Sequence, residues 1–146
     1  MTYIGSHRKF SLVQNLVLLI VRVVAVVGLG THGYAKILTL MSTDPVRFVD
    51  FLGLGPKISI SLAIFGELVA PAFVLLGIFT RFFSMFPVFT MFYALFFVHI
   101  LGGDPFNVAE PSMLYLLLFL MICTFGAGDL SLDAVFFSKK RGDYRD

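Results

Sequence analysis

Five ionisable residues stand inside stretches that are otherwise almost wholly apolar: Arg22, His32, Lys36, Glu67 and His99. In hydrocarbon such a group is costly unless it is paired or faces a polar cavity, so a charge within a span marks a candidate site by its position alone. A carboxylate beside a guanidinium or ammonium can hold or relay a proton. Imidazole and ammonium groups can donate hydrogen bonds to the carbonyl oxygens of a ligand.

At about 100° per helical residue, Arg22, Leu29, His32, Gly33 and Lys36 share one face of a first helix. Ser59, Ala63, Gly66, Glu67, Ala70 and Gly77 share an arc of a second, and the small residues beside Glu67 permit close helix approach. A rise of about 1.5 Å per residue sets Arg22 roughly 12 Å from the inner edge and Glu67 roughly 12 Å from the outer edge of a core about 30 Å thick. An arginine side chain can bridge the remaining gap, so an Arg22–Glu67 ion pair near the midplane is expected. The outer half of the bundle is then expected to hold a polar-mouthed cavity lined by His32, Lys36, Glu67 and His99, with Arg22 at its floor, and these five are the candidate cofactor-binding residues.

Two histidines at similar depth raise a bis-imidazole haem or a metal, but nothing in the sequence fixes their helices as facing neighbours and no further ligand spacing supports a metal. Neither is expected. A quinone-like ligand needs only one or two donors beside an apolar slot, which His32, Lys36, His99 and Tyr34 could supply; a solvated vestibule without ligand is the alternative. Glu110 and Asp104 add an acidic component to the outer mouth. No P-loop, dinucleotide fingerprint, nucleophile elbow or HExxH motif is present, so no catalytic residue is assigned.

The elements that must hold these residues follow from the apolar runs. The 146 residues are 58% hydrophobic and 14% charged, against about a quarter charged in soluble domains. A soluble core of this size could not hide so much apolar surface, including 18 Phe. The fold class is therefore all-α, an integral membrane four-helix bundle forming one domain. A lipid bilayer is the expected partner and nucleic acid is not.

The spans run from about Leu12 to Leu38, Ile58 to Phe79, Phe82 to Leu101, and Pro111 to Ala127. His7-Arg8-Lys9 before the first run resembles a signal-peptide start, but the run is too long, Arg22 interrupts it and no clear cleavage site follows, so a retained helix is expected. Cys123, the single cysteine, lies in the fourth run and excludes an intrachain disulfide. The phenylalanine-rich third run covers every helix face and reads as packing and lipid contact.

Four spans place both chain ends on one side. Arg8, Lys9, Arg81, Lys139, Lys140, Arg141 and Arg145 fall on that side, and Lys36, Arg47 and Lys57 on the other. The positive-inside rule then makes the topology N-in/C-in in a cytoplasmic (inner) membrane, with a basic tail over residues 134–146 that also meets anionic lipid. The turn at Thr80-Arg81 is short enough to force an antiparallel hairpin. The loop from Thr39 to Lys57 is expected to include a short interfacial turn or helix around Val46 to Leu52, and Gly102 to Asn107 forms a turn. Pro71 and Pro87 fall within the second and third spans and are expected to kink them.

A set of short elements runs in order along the chain: Arg22, then His32-Gly33 and Lys36; Gly53-Leu54-Gly55; Gly66-Glu67; Leu76-Gly77-Ile78-Phe79-Thr80-Arg81; and a closing Gly126-x-Gly128-x-x-Ser131-Leu132-Asp133. Together they resemble the pattern of the DoxX family of small four-helix membrane proteins. The resemblance extends from about Leu18 to Asp133. It implies kinship with a subunit of an archaeal thiosulfate:quinone oxidoreductase that works with a second protein, although no cysteine motif suited to sulfur chemistry appears here. Three functions stay open: a quinone-binding or partner-docking membrane subunit of a redox complex, a non-catalytic scaffold or stress-related protein, and a small-solute or ion carrier. The carrier lacks the paired repeats usual in transporters.

Overall fold

The structure is a computed structural model that describes residues 10–42 and 45–138. It is helical throughout its spans, because a segment in lipid must satisfy its own backbone hydrogen bonds. Four helices are long and apolar enough to cross a membrane: α1 (Leu12–Ser42), α2 (Pro56–Leu76), α3 (Thr80–Ile100) and α4 (Phe106–Phe125). A short α5 (Leu132–Ser138) follows. Arg8, Lys9, Lys139, Lys140, Arg141 and Arg145, on which the expected orientation rests, lie outside the described residues, as does most of the basic tail.

The shared core is built by Ala25, Val26 and Leu29 of α1, Val74 of α2, Met91 and Leu95 of α3, and Leu116, Phe119 and Ile122 of α4. The outward residues, such as Val24, Val27, Phe89 and Leu117, are exposed apolar side chains. In a spanning bundle that surface faces lipid, which solvates it as well as a second protein layer would.

Gly77 ends α2 with φ +72, a left-handed conformation that glycine adopts without strain. The chain reverses within three residues, and α3 begins at Thr80 rather than Phe82. The end of α2 is tied locally, the Gly77 N–H donating to the Val74 carbonyl at 3.1 Å and the Ile78 N–H to the Phe73 carbonyl at 3.0 Å, whereas the start of α3 is held by a distant segment. The segment after α4 folds back under the bundle and the Asp133 backbone N–H donates to the Gly77 carbonyl at 2.7 Å. The Asp133 carboxylate accepts from the Phe79 N–H at 2.7 Å, the Thr80 N–H at 2.9 Å and the Thr80 hydroxyl at 2.8 Å. It thus satisfies first-turn donors that a helix leaves open.

This returning strap, residues 126–133, also meets α1. The Asn15 amide donates to Asp129 Oδ2 at 2.8 Å and its carbonyl accepts the Asp129 N–H at 2.7 Å. The start of α1, the α2–α3 turn and the strap therefore close one end of the bundle. The opposite end carries the end of α1, the 45–55 segment and the α3–α4 turn.

Of the turn or helix expected around Val46 to Leu52, the turn forms, at Phe51–Leu54, with no helix before it, and Ser59 Oγ accepts the Phe51 N–H at 2.8 Å. Two further span bounds are corrected. The fourth span begins at Phe106, not near Pro111, because the Pro105 carbonyl accepts the Val108 and Ala109 N–H groups and closes the first turn earlier. α1 continues to Ser42, with its last turns tied by Thr39 and Ser42 hydroxyls donating to the carbonyls of Ala35 and Leu38.

Candidate functional site

Glu67 lies on a π-helical stretch, Phe65–Val69, inside α2. Pro71 has no N–H to give the Glu67 carbonyl. Just before it the backbone widens, and the Ala70 N–H donates to Phe65 five residues back. Single π turns inside α-helices are frequent at functional positions.

Glu67 is 3% exposed, and its Oε2 receives a hydrogen bond and ion pair from Lys36 Nζ at 2.6 Å. The Lys36 side chain is about a quarter exposed, and its long stem brings the ammonium to the nearly buried carboxylate. The expected Arg22–Glu67 pair is thus corrected to Lys36–Glu67. The π stretch adds a residue to the turn that carries Glu67, so an arc drawn at constant helical pitch misjudges its direction and depth.

Gly33 permits this crossing. A β-carbon there would stand 2.9 Å from Leu68 Cβ and 3.2 Å from the Glu67 backbone carbon. Since one of these neighbours is backbone, the helices must part to accept it. Gly33→Ala is expected to destabilise the protein by about 1–3 kcal/mol, the usual range for overpacking. An unfolding titration in detergent measures it, and an unchanged midpoint would contradict the close approach.

His32 is exposed on the next position of α1, with its ring edge-on to Tyr115 of α4 at a centroid distance of 5.8 Å, and it lies within electrostatic reach of Glu67. His99 turns instead to Asp104 in the α3–α4 turn, Nδ1 to Oδ2 at 2.8 Å. Arg22 is fully buried at the closed end, where Nη2 donates to the Leu130 carbonyl of the strap at 2.5 Å. Among the described residues neither Arg22 nor His99 shares a hydrogen bond or ion pair with Lys36 or Glu67. The five candidates therefore divide into a joined pair with His32 beside it, a separate pair at the α3–α4 turn, and a buried cation held against the strap. No group of three or more metal-ligating side chains occurs among the described residues.

Sequence reasoning assigned no role to Asp133, Asn15 or Tyr115. Asp133 was visible within the closing motif, but its partners are 53 and 54 residues away in the chain and no spacing rule joins them.

The DoxX family profile matches residues 17–100, more than half of the chain. The chain belongs to the DoxX family. The match takes in α1, α2 and α3, hence Arg22, Lys36, Glu67 and both histidines of the site, and stops before α4 and the strap. This DoxX protein is also similar to an uncharacterized protein of Haemophilus influenzae, 40% identical over 78 residues, which cover 50% of this chain and 58% of that one. The alignment thus spans less than two thirds of the relative. No solved structure matches the chain.

Proposed function

We propose that this DoxX protein is a membrane subunit of a quinone-linked redox complex, in which the Lys36–Glu67 pair and His32 form the polar end of a site for a quinone-like ligand. The observation that carries the reading is the pair itself, a nearly buried carboxylate on a π turn joined to an ammonium within a membrane span. Lys36 offers three N–H donors and spends one on Glu67, leaving others for a ring carbonyl, while the exposed His32 imidazole stands about one turn earlier on α1. Arg22 and His99 belong to the proposal only as outer supports, Arg22 by holding the strap and His99 by ordering the α3–α4 turn. A second protein subunit would supply the electrons. The closed end is assigned to the cytoplasm of an inner membrane, by the positive-inside rule applied to the basic residues of the two chain ends.

Purification in mild detergent followed by solvent extraction and mass spectrometry tests the ligand. Wild type is expected to carry a quinone in equimolar amount. The His32→Ala/Lys36→Met double variant is expected to lose it while keeping its helical circular dichroism. Wild type that carries none, and whose thermal midpoint does not rise when a quinone analogue is added, would overturn the reading.

The non-catalytic scaffold remains as a second reading, favoured by the tight seat of Gly33 on α2. There the ion pair serves only to fix which faces of α1 and α2 meet.

A further inference from the structure

At the closed end a cavity of about 350 Å³ opens between the α2–α3 turn and the strap; Phe79, Arg81, Phe82, Gly126 and Asp133 contribute to its walls. Its height in the bilayer follows from the spans. α2 ends at Leu76, α3 begins at Thr80 and α4 ends at Phe125, so the cavity lies where hydrocarbon gives way to headgroups.

Phe79 and Phe82 are exposed on its walls, 60% and 57% respectively. The cavity also holds two charges, and they are not equivalent. Both oxygens of Asp133 are engaged by the first-turn donors of α3. Arg81 has no carboxylate partner among the described residues, and its guanidinium lies over Gly126, with Nε 3.4 Å from where a β-carbon would stand. The result is one unmatched cation flanked by two phenyl rings at the membrane boundary.

We propose that this cavity binds the headgroup of one anionic phospholipid, with its phosphate on Arg81 and the start of its acyl chains along Phe79 and Phe82. A planar guanidinium suits a phosphate diester, which it can meet with two parallel N–H donors. The mainly apolar walls suit an amphiphile and offer a free inorganic anion too few donors. A zwitterionic lipid gains less, because its own ammonium competes for the phosphate and finds Asp133 already engaged. This site is separate from Lys36 and Glu67, so its fate and that of the ligand reading are independent.

Native mass spectrometry of the full-length protein from mixed micelles of equal phosphatidylglycerol and phosphatidylcholine tests the proposal. Wild type is expected to retain one phosphatidylglycerol with about fivefold preference, the scale of a single basic residue at an anionic surface. Arg81→Gln is expected to abolish that preference with no change in thermal midpoint in lipid-free detergent, and Arg81→Lys to keep part of it. The Lys139→Gln/Lys140→Gln/Arg141→Gln variant separates this site from diffuse attraction by the tail, and is expected to keep the single tight lipid. Equal retention of the two lipids by wild type, an unchanged preference in Arg81→Gln, loss in the tail variant, or displacement by excess inorganic phosphate would each overturn the proposal.

Discussion

Replacing Lys36 with methionine is expected to lower stability in detergent by about 3 kcal/mol, because it leaves Glu67 as a carboxylate inside the bundle without its cation. The loss comes less from the attraction than from the stranded charge. Removing both charges should therefore restore most of it: Lys36→Met/Glu67→Leu is expected to fall within about 1 kcal/mol of wild type, since a buried pair replaced by well-packed apolar groups is often neutral. A double-mutant cycle from unfolding titrations gives the coupling directly. If it is no more than roughly 0.6 kcal/mol, the average for interhelical hydrogen bonds in a bilayer, the ion pair contributes nothing beyond an ordinary polar contact. The same cycle for Arg22 and Glu67 is expected to show no direct coupling, because Arg22 is held by the Leu130 carbonyl instead.

That contrast also shows where sequence reasoning succeeds and where it stops. The four spans were legible because length and apolarity are properties of each segment alone. The inward arcs were largely legible too: Arg22, Leu29 and Gly33 of α1 and Ser59, Gly66, Glu67, Ala70 and Gly77 of α2 are buried. His32 escapes its arc because one helical step from Gly33 already turns it toward Tyr115. The partner of Glu67 was misjudged for two physical reasons. The π turn before Pro71 breaks the constant pitch on which depth and direction were reckoned. Lys36 also reaches further inward than its Cα suggests, because its long stem can lie against apolar neighbours while the ammonium finds a carboxylate.

The strap was illegible for a different reason. Its Gly126-Ala127-Gly128 sequence reads locally as a helix stop, and Gly126 does end α4, with φ +80. What the sequence does not disclose is that the stop returns the chain under the bundle. Placed there, Leu130 offers a carbonyl to Arg22, Asp129 meets Asn15, and Asp133 takes over the start of α3. Three weak-looking residues thus become the floor on which the buried arginine rests.

The second large effect is expected at that floor. Asp133→Ala removes the acceptor of three hydrogen bonds on the first turn of α3 and takes away the carboxylate nearest in effect to the buried Arg22 guanidinium. A lost helix cap alone costs about 1–2 kcal/mol, and hydrogen bonds to a charged group about 1.5–3 kcal/mol each, though not additively. A total near 3 kcal/mol is expected, with Asp133→Asn recovering part of it by keeping one acceptor oxygen. Asn15→Ala, which frees only the Asp129 end of the strap, should cost about half as much. Cys123 provides a built-in probe, since it is the single cysteine and its thiol lies against the Arg81 carbonyl one turn above the strap. Its rate of labelling by a small maleimide should rise in Asp133→Ala, as the strap detaches, and should stay at the wild-type value in Lys36→Met/Glu67→Leu, where only the opposite half of the bundle is altered. Equal labelling in all three proteins would show that the strap does not depend on Asp133, and the stability loss would then belong to the start of α3 alone.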